Sequence, residues 1–256
     1  MTKGMLEVEG LSHAFGGLKA VADCSFGLDA GRVGALIGPN GAGKSTIVNL
    51  VAGTLPLQRG RILFEGGDIS RWPMYRIARR GLIRTFQLSR ELGGLSVLEN
   101  MLVPPPNQQG ERLANVLFRP GVGRDEDRRH VSKALGVLET FGLYHLRDQY
   151  SRNLSGGEKR LLELARAVMA EPKLLILDEP MAGINPALMA RLCEHILRLR
   201  DSGITFLLVE HNLHVVDQIC DHVIVMASGR TLATGRMADL REHPEVIRVY
   251  LGTAQA

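Results

Sequence analysis

An α/β fold organised around a parallel sheet is what this sequence predicts, with a small antiparallel β subdomain at its N-terminal end and an α-helical subdomain inserted between strands. Three observations carry that prediction. Residues 32–51 read as an apolar strand, a glycine-rich loop and a helix in direct succession. From Leu174 onward, short apolar runs alternate with amphipathic helical stretches, the order that builds a parallel sheet covered on both faces. Between about residues 88 and 164 the composition shifts to capped, helix-periodic segments, which marks a lobe inserted between strands.

Composition narrows the class. A chain of 256 residues, 45% of them hydrophobic, is long enough for one large domain or for a core carrying a lobe. No apolar run approaches the roughly 20 residues of a membrane span. The longest, Leu174–Leu177 and Phe206–Val209, have the length of strands. Met1 to Gly10 contains no apolar signal core, so secretion is not expected. Cys24, Cys193 and Cys220 are odd in number, lack metal-ligand spacing and read as reduced packing residues. A net charge of +4 is compatible with nucleic acid or an anionic membrane face but singles out neither.

In chain order, Leu6 and Val8 alternate with Glu7 and Glu9 as in a half-exposed strand. Phe15-Gly16-Gly17 turns the chain into a second strand over 18–28, and Asp29-Ala30-Gly31 turns it into the strand ahead of the glycine-rich loop. Ile47, Leu50 and Val51 have helical spacing, with Gly53 as the residue past the helix end. Ile62 and Phe64 make another short strand. Pro73 opens and Gly81 closes a short helix in a segment holding Arg71, Arg76, Arg79, Arg80 and Arg84; these arginines read as a solvated helix face, with a binding patch as the competing reading. Leu82 to Phe86 reads as a strand ending at Gln87. Ser96 and Glu99 form a capping box, and Pro104-Pro105-Pro106 stops the helix it opens. Residues 107–124 read as a polar insertion, followed from about Asp125 by a helix capped at Gly142. Asn185-Pro186 opens a helix that Gly203 ends, and strands follow at 204–209 and 222–226 with a helix at 212–219 between them.

The chemistry-bearing residues begin in the loop. Gly38-Pro39-Asn40-Gly41-Ala42-Gly43-Lys44-Ser45-Thr46 fits G-x-x-x-x-G-K-S/T, a P-loop. Glycines let successive backbone N–H groups face one concavity, and the following helix adds the positive end of its dipole. Lys44 can reach β- and γ-phosphates, and the Ser45 hydroxyl can ligate Mg²⁺. Leu174–Leu177 ends in Asp178-Glu179, two carboxylates at the carboxyl end of a buried strand, where open α/β sheets bind ligands. Asp178 suits Mg²⁺ held through water, and Glu179 suits orienting or deprotonating an attacking water. Leu154-Ser155-Gly156-Gly157-Glu158 opens another helix. Ser155 and Glu158 have capping-box spacing, and Ser155 with the Gly156 and Gly157 amides could equally form a second anion site; both readings stand.

Together with Gln87 and His211, these motifs occur in the order that identifies the ATP-binding cassette ATPases: Walker A, Q-loop, signature, Walker B and switch histidine. The resemblance spans essentially the whole chain. It implies a P-loop NTPase with a RecA-like core, a single nucleotide-binding domain over 1–256, and a helical subdomain at about 88–164 that carries the signature at its end. It implies that ATP and Mg²⁺ are the cofactors. Gln87 and His211 would join Glu179 in hydrolysis, and Gln87 would join Ser45 and Asp178 around the metal. The signature residues Ser155 to Glu158 would cap ATP bound to a second cassette subunit. Phe15 stands where the family places a ring that stacks on adenine; an aromatic packed into the turn is the rival reading.

Arg84-Thr85-Phe86-Gln87, Leu95 to Asn100, Ala182 to Pro186 and the C-terminal Pro244 to Gly252 are similar to the G-type ATPase subunit of branched-chain amino acid importers. That similarity implies two permease partners, an extracytoplasmic binding protein and a place on the cytoplasmic side of the membrane, with no role for nucleic acid. Two residues depart from the general family pattern: Glu158 stands where Gln is commonest, and Asn185 where the loop after Walker B usually has Asp. The alternatives are a soluble cassette ATPase acting on ribosomes or nucleic acid, and a GTP switch or small-molecule kinase. Against them stand one cassette rather than two, no long heptad coiled coil, and no Asn-Lys-x-Asp motif.

Overall fold

Every residue of Val33–Ile37 (β3) is buried, because strands pair with it on both sides and both faces of its sheet are covered. The structure is a computed structural model that describes residues 4–85, 92–105 and 120–252, with side chains left aside at 120–124 and 250–252. It comprises two compact units, one of residues 1–87 with 173–256 and the other of residues 88–172.

The first unit holds two sheets. Gly4–Phe15 (β1), Leu18–Asp29 (β2), Arg59–Phe64 (β4) and Gly67–Asp68 (β5) form an antiparallel sheet in the order β2-β1-β4-β5. Leu82–Arg84 (β6), Leu174–Asp178 (β7), Thr205–Val209 (β8), His222–Ala227 (β9) and Arg230–Gly235 (β10) join β3 in a second sheet, in the order β10-β9-β3-β8-β7-β6. Pairing in that sheet is parallel except between β10 and β9. The two faces of β3 divide its side chains as a period of two requires. Leu36 joins a core with Leu6, Val8, Phe26, Ile62 and Phe64 of the antiparallel sheet and Ile47 and Val51 of the helix Lys44–Val51. Ala35 and Ile37 face the other way, onto Val216, Met237, Leu240 and Val246 of three C-terminal helices. Burial on both faces is why β3, β7 and β8 read as continuous apolar runs rather than as alternation.

The second unit packs the helices Val97–Leu102, Pro120–Thr140 and Gly156–Met169 on one another. The capping box at Ser96 is complete, with both reciprocal hydrogen bonds to Glu99 present. Asn100, fully buried, stitches the segment together. Its amide nitrogen, with two hydrogens to share, lies within hydrogen-bond distance of the Leu92, Leu95 and Ser96 carbonyls and of Ser151 Oγ, and its Oδ1 accepts from the Leu92 N–H. The long helix starts at Pro120, earlier than the sequence pattern around Asp125 indicates. Proline is well suited to a first helical turn, where its missing N–H costs nothing. The apolar spacing that marks the helix is confined to its later turns. Strand β6 stops at Arg84, so Thr85 falls outside it; Phe86, the expected end, lies outside the described residues together with Gln87.

Candidate functional site

The loop Gly38–Gly43 leaves the carboxyl end of β3 in the middle of the six-stranded sheet and delivers the chain into the helix Lys44–Val51. Two positions admit glycine alone. Gly38 has a φ of +150°, and a Cβ there would lie 2.2 Å from the Met226 carbonyl oxygen; at Gly43, φ is +98° and a Cβ would lie 2.5 Å from the Ala20 carbonyl oxygen. Gly229 closes the same neighbourhood, its N–H donating to the Ala42 carbonyl at 3.0 Å. Gly43 caps the helix without a side chain. The first-turn N–H groups therefore have no side-chain acceptor and present the positive end of the helix dipole to whatever occupies the loop. Asn40, Gly41 and Ser45 are exposed, and Thr46 is half-buried beside them.

Lys44 Nζ donates to the carbonyls of Gly38 at 2.7 Å and Pro39 at 3.0 Å, so the ammonium arches back over its own loop. Loss of water around it lowers its pKa from the ordinary lysine value, and Glu179 and then Asp178 oppose that shift. The lysine thus shares one electrostatic neighbourhood with both carboxylates. Asp178 is the last residue of β7 and only 5% exposed. Glu179 follows with φ at +49°, a left-handed backbone uncommon for a residue with a side chain, and its N–H donates to the Val209 carbonyl at 2.9 Å.

Two residues contribute here that sequence reading did not assign. Arg84, grouped above with a solvated arginine face, is instead the last residue of β6, with its side chain 14% exposed. It donates to Asp178 Oδ2 at 2.8 Å and, through its other amino group, to Asn49 Oδ1 on the helix that follows the loop. Parallel pairing of β6 with β7 brings the two strand ends together, a relation with no signal in the local sequence. Glu210, 1% exposed, accepts from the N–H groups of Met181 at 3.0 Å, His211 at 3.2 Å and Asn212 at 3.4 Å. It ties the loop after β7, which carries Glu179, to the loop after β8, which carries His211. The His211 side chain itself is exposed.

Phe15 closes the β1–β2 hairpin. Its ring meets His13 edge-on with centroids 4.7 Å apart and remains 49% exposed. Packing on His13 therefore leaves half of its surface available. Gln87 lies outside the described residues.

In the second unit, Ser155 N-caps the helix Gly156–Met169 and Glu158 completes the capping box. Glu158 Oε2 accepts from both the Ser155 N–H and its hydroxyl at 2.7 Å, and these bonds hold its pKa below the usual carboxylate range. The charge that distinguishes Glu158 is therefore turned back onto its own helix start. Gly156 is exposed, with nothing within 4 Å of the position a Cβ would take. Asn185 likewise has a local role, its Oδ1 accepting from the Leu188 N–H at 2.9 Å to cap the helix Pro186–Asp201.

Comparison with known proteins places these features in context. A family described as ABC transporter matches residues 21–182, and one described as branched-chain amino acid ATP-binding cassette transporter matches residues 230–256. The chain is 43% identical over 250 residues, 97% of its length and 95% of the relative's, to a probable branched-chain amino acid transport ATP-binding protein of Archaeoglobus fulgidus. It is 37% identical over 255 residues to the high-affinity branched-chain amino acid transport ATP-binding protein BraF of Pseudomonas aeruginosa, covering 99% of this chain and 100% of the other. Among solved structures, an ATP-binding cassette of an ABC transporter in its ADP conformation superposes with a TM-score of 0.84 at 36% identity, covering 98% of this chain and 100% of that one.

Proposed function

This chain belongs to the ATP-binding cassette transporter family, whose members hydrolyse ATP to power transport, and from that premise we propose that it drives the import of branched-chain amino acids through the site at Gly38–Thr46. The observation that carries the site assignment is the shared neighbourhood of Lys44, Asp178 and Glu179 around a loop whose glycines admit no side chain. The match over residues 230–256 and the names of the full-length relatives support the choice of solute.

In this reading the loop N–H groups and the helix dipole bind the β- and γ-phosphates, and Lys44 exchanges the Gly38 and Pro39 carbonyls for phosphate oxygens. Phe15 offers its exposed face to the adenine. Glu179 orients and deprotonates the attacking water, with His211 and Gln87 completing the γ-phosphate surroundings. The oxygen donors Ser45 and Asp178 are of the kind Mg²⁺ prefers, so they would hold it against the phosphates. When bound, Mg²⁺ would neutralise charge developing on the transferred phosphoryl group. Ser155 to Glu158 present a helix start to the nucleotide of a second ATPase subunit, identical or different.

Among the described residues no helix is long and apolar enough to cross a membrane. We infer attachment at the cytoplasmic membrane face through two permease subunits, which an extracytoplasmic binding protein supplies with solute. The relatives reported above are transport proteins, and no observation favours work on ribosomes or nucleic acid. The test is reconstitution of the chain with its permeases and binding protein, comparing wild type with Glu179→Gln. Expected is retained ATP binding, loss of most hydrolysis, and loss of leucine uptake. Wild-type turnover by Glu179→Gln would overturn the assignment of the base, and leucine-independent uptake of another solute would overturn the choice of cargo.

A further inference from the structure

We propose that Arg84 is a positioning residue that serves as the exchangeable counter-ion of Asp178, occupying its carboxylate when no divalent cation is bound and yielding it when Mg²⁺ arrives with nucleotide. The inference rests on the reading of Asp178 as the carboxylate that faces Mg²⁺.

A carboxylate only 5% exposed needs a compensating charge, and Arg84 supplies it at 2.8 Å. Yet the guanidinium is itself incompletely satisfied. One amino group serves Asp178 and the other serves Asn49, while Nε is buried with no hydrogen-bond partner among the described residues. Most buried side-chain polar atoms have a hydrogen-bond partner, so a guanidinium settled in a core is expected to have one for each nitrogen. Here the charge of Asp178, rather than a full set of acceptors, holds the group in place. A dication drawing on the same carboxylate competes with Arg84 for its oxygen lone pairs and is repelled by the guanidinium. The bridge to Asn49, on the helix that begins with Lys44 and Ser45, places this exchange within reach of the phosphate-binding loop.

The experiment measures Mg²⁺ dependence rather than turnover. A fluorescent ADP analogue is titrated onto the full-length chain across Mg²⁺ concentrations, and melting temperatures are recorded in EDTA and in Mg²⁺ with ADP. Arg84→Met removes the charge and keeps most of the apolar stem. Arg84→Gln keeps a donor for Asp178 without the charge and serves where the first variant folds poorly. Both are expected to lower the Mg²⁺ concentration for half-saturation by at least about threefold, the size of coupling usual between contacting groups. Both are also expected to melt lower in EDTA and to gain more than wild type from Mg²⁺ with ADP. Arg84→Lys retains the charge and is expected to restore the wild-type Mg²⁺ requirement. An unchanged or raised requirement in the neutral variants overturns the proposal, as does equal destabilisation with and without Mg²⁺. Binding of ADP to wild type that ignores Mg²⁺ would instead sink the underlying reading of Asp178, so the two failures are distinguishable.

Discussion

Replacing Glu210 by Ala removes a side chain that accepts from both loops bearing reactive residues. The three bonds are unequal. Met181 is buried and its N–H contact is the shortest at 3.0 Å, so that donor is left without a partner in a dry setting. A stranded buried donor costs about 1–3 kcal/mol. The His211 and Asn212 N–H groups donate over longer distances, 3.2 and 3.4 Å, and belong to an exposed and a half-buried residue, where water can replace the lost acceptor at little cost. The void left by the carboxyl group adds about 1 kcal/mol. The sum is about 2–4 kcal/mol, dominated by Met181. For a chain of this size each kcal/mol lowers the melting temperature by about 2–4 °C, so a drop of about 4–16 °C is expected. Thermal unfolding followed by circular dichroism measures it. ATP hydrolysis, assayed well below the new midpoint, is expected to fall as well, because Glu179 and His211 lose their common tether. A variant melting within about 2 °C of wild type would refute the argument that the Met181 bond holds these loops.

Phe15→Ala is expected to weaken ATP binding by about 0.5–1.5 kcal/mol, the worth of an aromatic stack, with the melting temperature nearly unchanged because half of the ring is exposed. Calorimetric titration separates this outcome from equal affinity with a lowered melting temperature, which would assign the ring to packing on His13. His195 titrates below its ordinary value of 6.5, chiefly through burial and then through Arg191 and Arg198. Between its folded-state value and 6.5 the unfolded chain binds the extra proton, so stability should decline as pH falls through that window. Denaturant midpoints measured from pH 7 down to pH 5 should flatten in His195→Gln, and parallel profiles for the two proteins would exclude His195 as a contributor.

Local chemistry was legible wherever a backbone requirement is written into consecutive residues. The phosphate-binding loop could be read because Gly38 and Gly43 answer steric demands that no other residue meets, and the pattern Gly-Lys-Ser follows at once. The capping boxes at Ser96 and Ser155 and the Asn185-Pro186 helix start were legible for the same reason, since both partners lie within three or four residues. The continuous apolar runs of β3, β7 and β8 announced a sheet buried on both faces. The second helix of the inserted lobe was placed late because its first turns carry no apolar period, and β6 was drawn past Arg84 to include Thr85. What only the tertiary structure decided are relations between strand ends distant in sequence. Arg84 and Asp178 are 94 positions apart and meet at 2.8 Å because β6 and β7 pair in parallel. Glu210 joins the loops after β7 and β8 because those strands are neighbours in the sheet order, not because anything near Glu210 specifies Met181 as its donor. An arginine in an arginine-rich stretch looks solvated until its strand is given a partner. Whether its charge stays in water or meets a buried carboxylate is set by register, a property of the pair of strands rather than of either one.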